Sequence, residues 1–180
     1  SKYEHARITG TRQRRDPIHL TRNYLNTRSH SRWLPQKALN NSVENLVPIV
    51  INKLKAGQPP VIYGTDYPTP DGTCIRDYVD VRDIARAHLA AANATTKLPP
   101  AMNIGTGRGA SVREIVKLVL EAINKSDAQV IEAPRRAGDP PRLVADPKKA
   151  NEILGWQPQF ASLEQIVTHA WAWEQKHPWQ

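Results

Sequence analysis

Two segments of the sequence carry arginines in a setting that suits phosphate binding. Arg76 follows the loop 67–72 (YPTPDG), in which two prolines fix their φ angles and a glycine permits a positive one, so the loop is predicted to be stiff. Arg135 and Arg136 follow a predicted strand and are themselves followed by a glycine and Asp139. An arginine that stiff backbone holds in place can donate two parallel, charge-assisted hydrogen bonds to phosphate oxygens.

The positions of these arginines predict that the two segments act together. In α/β proteins, ligands gather at the carboxyl ends of strands, and the Arg135–Arg136 pair follows such an end. We therefore expect a diphosphate to lie between the two arginine-bearing loops, with Asp139 accepting hydrogen bonds from the hydroxyls of a sugar or ribose. The alternative is that Arg76 forms only a surface ion pair with Asp77 or Asp80.

The other candidate residues favour structural roles. The run GTGRGAS, residues 105–111, resembles a phosphate-cradling loop but lacks the G-x-G-x-x-G spacing and a Walker lysine, so it is predicted to be a turn. The six histidines have no metal-ligand spacing, and no metal site is expected. Cys74 is the only cysteine and has no base beside it in sequence, which fits a reducing, cytoplasmic setting.

The basic charge of the chain is concentrated at one end. The 180 residues carry a net charge of +8, and residues 1–40, with nine Lys or Arg and two Asp or Glu, account for +7 of it. Residues 1–43 show neither a helical nor a strand period, so they are predicted to be an irregular basic segment, either disordered or the product of a shifted reading frame. A nucleic-acid-binding arm is the less favoured alternative. No apolar run reaches the roughly 20 residues of a membrane helix, and no membrane partner is expected.

From residue 44 onwards, helical and strand patterns alternate, which predicts an α/β domain over residues 44–180 with short strands and about five helices. Ser111 and Glu114 form a capping box, and Gly57 and Gly155 supply helix ends. Helices are predicted over residues 45–56, 80–94, 111–126, 146–155 and 162–177, and strands over 61–63, 101–105 and 128–134. The buried stripe of the second helix is predicted to consist of Val81, Ile84, Ala85, His88 and Leu89.

A longer part of the sequence resembles a known family. The segment YGTDYPTPDGTCIRDYVDVRDIARAH closely resembles the signature of UDP-glucose 4-epimerases, NAD-dependent members of the extended short-chain dehydrogenase/reductase superfamily. The resemblance continues through MNIGTGRGASVREIV, APRRAGDPPRLVADPKKANEILGW and SLEQIVTHAWAWEQKHPW, and covers residues 44–179. It implies the smaller, UDP-sugar-binding portion of a two-domain enzyme, without the N-terminal Rossmann domain.

The resemblance also implies roles for individual residues. Arg76 and Arg136 would bind the diphosphate, Tyr63 would stack on the uracil, and Asp139 would contact the ribose. Leu143 falls where the family controls the size of the accepted sugar, and Lys2 falls where the family has a catalytic lysine. The implied substrate-binding residues are Asn45, Leu46, Val61, Tyr63, Arg76, Arg136, Asp139 and Leu143.

The implied activity is the interconversion of UDP-glucose and UDP-galactose. In the family, bound NAD oxidises C4 of the sugar, the 4-keto intermediate rotates, and the hydride returns to its other face. The sequence lacks the Gly-rich NAD loop and the tyrosine of the Tyr-x-x-x-Lys pair, so the chain alone is predicted to have no turnover, while its parent would be a homodimer. Two alternatives stay open, namely a related nucleotide-sugar dehydratase or decarboxylase, and a non-catalytic binding module with a basic arm.

Overall fold

The computed structural model describes residues 45–176, which contain five helices and five short strands. Lys2 and the predicted irregular segment 1–43 lie outside the described residues. In chain order the elements are α1 (Leu46–Lys55), β1 (Val61–Tyr63), β2 (Ile75–Asp77), α2 (Val81–Ala92), β3 (Gly109–Ser111), α3 (Val112–Ala122), β4 (Ile131–Ala133), β5 (Arg142–Leu143), α4 (Lys148–Leu154) and α5 (Leu163–Lys176). The predicted α/β class and the predicted number of helices are confirmed.

The strands form two small sheets. In the first, β1 pairs with β4 in parallel, with Tyr63 opposite Ala133. In the second, β2 lies between β3 and β5, antiparallel to β3 and parallel to β5. The loop 134–141 joins β4 of the first sheet to β5 of the second, so this one loop runs from one sheet to the other.

The main core is built by α1, α3 and α5, which pack on one another beside β1. Helix α3 begins at the predicted capping box: the Ser111 hydroxyl accepts from the Glu114 amide, and the Glu114 side chain accepts from the Ser111 amide. Helix α1 ends before Gly57, which has a φ of +68°. The fully buried side chains at the centre of this core include Val50, Ile51, Leu54, Ile62, Ile115, Val116, Val119 and Val167.

The predicted buried stripe of α2 is wrong. Val81 and Leu89 are 75% and 64% exposed, Ala85 and His88 are exposed as well, and Ile84 is half-buried. The buried face of α2 instead carries Asp83 and Ala87.

This orientation of α2 follows from its hydrogen bonds. The carboxylate of Asp83 accepts from the backbone amides of Gln159 and Phe160 at 2.9–3.0 Å, and the indole of Trp156 donates to the Asp83 carbonyl at 2.9 Å. A buried carboxylate must find such donors, so the Asp83 face of α2 turns inward although the apolar stripe lies elsewhere. Ala87 then packs with Trp156 in a second, smaller core.

The strand predictions were partly wrong. Residues 61–63 form β1 as expected, but the strand predicted over 101–105 is reduced to an isolated bridge at Asn103, and that over 128–134 shrinks to β4. Strands β2, β3 and β5 were not predicted at all. Each is only two or three residues long and is defined by its neighbours in the sheet, so the local sequence carries no periodic signal for it.

Candidate functional site

Arg76 occupies the middle of the central strand β2. It lies opposite Ala110 of β3 and opposite Leu143 of β5. The strand is short but firmly placed, because the Ile75 amide donates to the Pro141 carbonyl at 2.8 Å and the Ile75 side chain is buried. The pairing of β2 with β5 therefore brings the predicted diphosphate arginine next to the predicted sugar-size residue.

The guanidinium of Arg76 forms an ion pair with Asp139. Its Nη2 lies 2.6 Å from Oδ1 of Asp139, and its Nη1 donates to the Ile75 carbonyl at 2.8 Å. The two charged side chains are only 14% and 12% exposed. The alternative of a surface pair with Asp77 or Asp80 is therefore wrong: the pair is largely buried, and it joins residues 63 positions apart.

The loop before Arg76 is held by its own side chains. Oδ1 of Asp71 accepts from the amide and the hydroxyl of Thr73 at 2.9 and 2.8 Å. Although burial opposes its ionisation, hydrogen bonds from Ser111 and Thr73 hold the pKa of Asp71 below its usual value. The positive φ predicted at Gly72 is confirmed at +77°, and a Cβ there would lie 2.0 Å from the Thr65 carbonyl oxygen.

Arg135 is engaged with this same loop. Its guanidinium lies 4.2 Å from the ring centroid of Tyr67, and its Nε donates to Oδ1 of Asp66 at 2.6 Å. The Tyr67 ring is buried, and its hydroxyl has no hydrogen-bond partner in the part of the chain that the structure describes. Burial is the main reason why the pKa of Tyr67 is raised to about 12. Arg135 therefore fastens the loop 134–141 to the loop 67–72.

Arg136 lies on the other side and stacks on Tyr63. Its guanidinium carbon is 4.1 Å from the centroid of the Tyr63 ring, which is 39% exposed at the end of β1. The Arg136 carbonyl accepts from the Asp139 amide at 3.3 Å, in a turn that Gly138 makes with a φ of +79°. Five predicted site residues are thus connected in order, each by a contact or by strand pairing with the next: Tyr63, Arg136, Asp139, Arg76 and Leu143.

The other predicted site residues lie apart from this series. Asn45 is exposed at the start of α1, and Leu46 is half-buried and packs on the main core. Val61 of β1 pairs with Ile131 of β4. Lys2 is outside the described residues. The structure therefore brings together Tyr63, Arg136, Asp139, Arg76 and Leu143, whereas Asn45 and Leu46 lie at the start of α1 and Val61 lies at the other end of β1.

The glycine-rich run at residues 105–109 is occupied by a carboxylate of the chain itself. The amides of Thr106 and Gly107 donate to the two carboxylate oxygens of Asp77 at 3.0 and 3.1 Å. The prediction that this run is a turn and not a ligand loop agrees with this contact. Sequence reasoning missed the role of Asp77, as it missed that of Asp83, because a carboxylate that accepts from backbone amides leaves no pattern of residue types.

The family of the chain follows from a comparison with known proteins. The family model described as GDP-mannose 4,6 dehydratase matches residues 2–170. The chain belongs to this family. Within it, the chain is 42% identical over 137 residues to a UDP-glucose 4-epimerase of Halalkalibacterium halodurans, covering 74% of this chain and 41% of the relative. A UDP-glucose 4-epimerase of Azospirillum brasilense is 45% identical over 133 residues, covering 72% and 38%.

A solved structure is similar to the chain as well. The UDP-glucose 4-epimerase of Bifidobacterium longum, crystallised with NAD+ and UDP, is 33% identical with a TM-score of 0.66, and covers 74% of this chain and 40% of that one. The resemblance to UDP-glucose 4-epimerases stated from the motifs is therefore confirmed. The chain spans about two-fifths of the length of the relatives that it matches.

The glycine-rich run 105–109 of this family member does not offer a pyrophosphate site. Pyrophosphate binding at a glycine-rich turn requires backbone amides that point at the ligand. In the run 105–109, those of Thr106 and Gly107 already donate to Asp77, and a Cβ on Gly105 would lie 2.5 Å from the Asp77 carboxylate. No contact with a dinucleotide is therefore assigned to the run 105–109. Across the same residues, no helix is long and apolar enough to cross a membrane, and no three His, Cys, Asp or Glu residues could together hold a metal ion.

Proposed function

We propose that residues 45–176 are the UDP-sugar-binding part of a UDP-glucose 4-epimerase. The observation that carries this proposal is the buried ion pair between Arg76 and Asp139, which joins the two arginine-bearing loops. Because one loop follows β4 and the other precedes β2, only tertiary contact brings them together. The identity to 4-epimerases over three quarters of the chain supports the choice of ligand.

The arrangement gives each chemical group of a UDP-sugar a partner. Arg76 and Arg136 would donate charge-assisted hydrogen bonds to the diphosphate, because the planar guanidinium group can donate two parallel hydrogen bonds to phosphate oxygens. The exposed ring of Tyr63 would stack on the uracil. Asp139 accepts from Arg76 through Oδ1, and its Oδ2, which lies 3.9 Å from the sulfur of Cys74, would also accept from a ribose hydroxyl.

Leu143 would face the sugar and influence which sugars fit. It lies beside Arg76 across the β2–β5 pair, so the sugar would be placed one strand away from the diphosphate. Leucine offers no hydrogen-bond donor or acceptor and has intermediate size, so this position would select by volume. We propose UDP-glucose and UDP-galactose as the substrates of the longer protein.

The complete reaction would require groups beyond residues 45–176. In the longer protein, bound NAD would accept and return the hydride at C4 of the sugar. The described residues would bind and orient the nucleotide sugar, and Lys2 would assist the tyrosine base. The longer protein would act as a homodimer in the cytoplasm, and the 180-residue chain by itself is expected to bind UDP without epimerase turnover.

Calorimetry of the 180-residue chain with UDP tests this proposal. We expect micromolar binding, and we expect Arg136→Ala to weaken it by about tenfold or more, because a hydrogen bond between charged groups contributes roughly 1.5–3 kcal/mol. Arg135→Ala is the matched control, since the neighbouring Arg135 is engaged with Tyr67 and Asp66. Uridine, which has no phosphate, should lose much less affinity than UDP does when Arg136 is replaced, because only its contact with the Tyr63 ring is affected.

The same UDP affinities can also contradict the proposal. Equal losses of UDP affinity in the Arg135→Ala and Arg136→Ala variants would indicate a general charge effect and not a diphosphate contact. If the folded wild-type chain bound no UDP, the proposed UDP-sugar-binding site would be refuted. A related dehydratase or decarboxylase would be distinguished by a 4-keto-6-deoxy or decarboxylated product when the longer protein is assayed.

A further inference from the structure

Asp77 accepts hydrogen bonds from two separate loops. Its Oδ1 accepts from the amide and the hydroxyl of Thr106 at 3.0 and 2.5 Å, and its Oδ2 accepts from the amides of Gly107 and Ala145 at 3.1 and 3.3 Å. One half-buried carboxylate thus satisfies three backbone N–H groups and a hydroxyl. Asp77 therefore connects the end of β2 to the turn after Ile104 and to the segment after β5.

The packing around Asp77 is close. A Cβ on Gly105 would lie 2.5 Å from Oδ2 of Asp77 and 2.5 Å from the Cβ of Ala145. Glycine is thus required for the two loops to meet at the carboxylate. Because backbone amides already surround the charge, Asp77 fills the place that an anion would take in such a turn.

The contact with Ala145 matters because β5 is very short. Only two residue pairs join β5 to β2, Ile75 with Arg142 and Arg76 with Leu143. The bond from Ala145 to Asp77 continues this attachment two residues beyond Leu143. Side chains alternate along a strand, so Arg76 and Asp77 point to opposite faces of β2. Arg76 reaches Asp139 before β5, and Asp77 reaches Ala145 after it.

We propose that Asp77 is a positioning residue that fixes the place of Leu143 relative to Arg76, and thereby sets how strongly the sugar contributes to binding. This inference rests on the proposed function. Arg76 pairs with Asp139 on the diphosphate side, whereas the amide of Ala145, two residues after Leu143, donates to Asp77. Loss of the Asp77 contacts should therefore loosen the sugar side of the site and leave the diphosphate side in place.

Asp83→Asn is a control that is matched in chemistry. Asp83 also accepts from backbone amides, those of Gln159 and Phe160, but it fastens α2 to a different loop. Asp77→Asn keeps one carbonyl oxygen as an acceptor and removes the other, as does Asp83→Asn. A purely structural role for Asp77 predicts that the two variants behave alike.

Calorimetry of the 180-residue chain with UDP and with UDP-glucose distinguishes a positioning role of Asp77 from a purely structural one. The ratio of the two dissociation constants does not depend on the folded fraction, because unfolding lowers both apparent affinities equally. We expect Asp77→Asn to change this ratio by about fivefold or more against UDP-glucose, the loss expected for about one contact, and Asp83→Asn to leave it within about twofold. An unchanged ratio in Asp77→Asn overturns the inference while the proposed function stands. No UDP binding by the wild type refutes the proposed function, and the inference with it.

Two further measurements guard against a variant that fails to fold. Thr106→Val removes one donor to Asp77 and should shift the ratio in the same direction to a smaller extent, whereas Thr106→Ser, which restores the hydroxyl, should match the wild type. Amide hydrogen exchange without ligand should rise at residues 142–146 in Asp77→Asn and not in Asp83→Asn. Unchanged exchange at residues 142–146 in Asp77→Asn would also overturn the inference.

Discussion

Breaking the ion pair between Arg76 and Asp139 should reveal a strong energetic coupling between the two side chains. Their charged atoms are 2.6 Å apart and their side chains are 14% and 12% exposed. The charge of each group is spread over several atoms, so the two charge centres are taken as about 4 Å apart. At that separation, with an effective dielectric constant of about 20, they attract by roughly 4 kcal/mol. Desolvation of the two groups offsets part of this attraction, so we expect a net coupling of about 2 kcal/mol.

A double-mutant cycle measures this coupling. Arg76→Ala, Asp139→Ala and the double variant are compared with the wild type by urea unfolding, followed through tryptophan fluorescence, to which the buried Trp156 contributes. Arg113 and Glu132 form a matched control pair, because their N–O distance is 2.7 Å but their side chains are 43% and 50% exposed. For this exposed pair we expect about 0.5 kcal/mol.

The comparison of the two pairs decides whether burial gives the Arg76 pair its strength. A coupling below about 0.5 kcal/mol for Arg76 and Asp139, or one equal to that of the exposed pair, would refute the reasoning. The two arginine-bearing loops would then lie close together without a net stabilisation from the ion pair. High salt supplies an independent check, since it should weaken the exposed pair more than the buried one.

Three further predictions concern stability. Hydrogen bonds from Arg82 hold the pKa of Asp80 at about 2; the stabilisation of roughly 1–2 kcal/mol is therefore present above pH about 4 and is lost as the pH falls towards 2. Urea unfolding across this range should show a larger loss in the wild type than in Asp80→Asn, in which Asp71 still titrates; parallel curves would contradict it. Tyr67→Phe should be neutral or stabilising by up to about 1 kcal/mol, since the buried hydroxyl lacks a partner; a loss above about 1 kcal/mol in the same assay would reveal a hidden hydrogen bond. Gly105→Ala should cost roughly 1–3 kcal/mol, because its Cβ would lie 2.5 Å from that of Ala145, and an unchanged urea midpoint would contradict the close packing.

Local signals in the sequence predicted the helices well. The capping box at Ser111 and Glu114 and the glycines after α1 and α4 act within one turn of the chain, so residue types alone reveal them. The stiff loop before Arg76 was predictable for the same reason. Arg76 and Arg136 could be proposed as diphosphate ligands because the guanidinium fork matches phosphate oxygens.

Signals that depend on distant partners were missed. The apolar residues of α2 suggested one buried face, but Asp83 turned the helix to meet the amides of Gln159 and Phe160, more than 70 positions away. Strands β2, β3 and β5 exist only through their pairing with one another. Nothing in the residues around position 77 indicated that its carboxylate would hold two loops.

The sequence by itself determined the α/β pattern, the family and the residue types that would bind a nucleotide diphosphate. Only the tertiary structure decided that Arg76 pairs with Asp139, that Arg135 and Arg136 turn to different tyrosines, and that Leu143 lies beside Arg76. The physical reason is that helix caps and turns depend on neighbours within a few residues. Ion pairs, ring stacking and strand register depend on which distant groups the fold brings within a few ångströms.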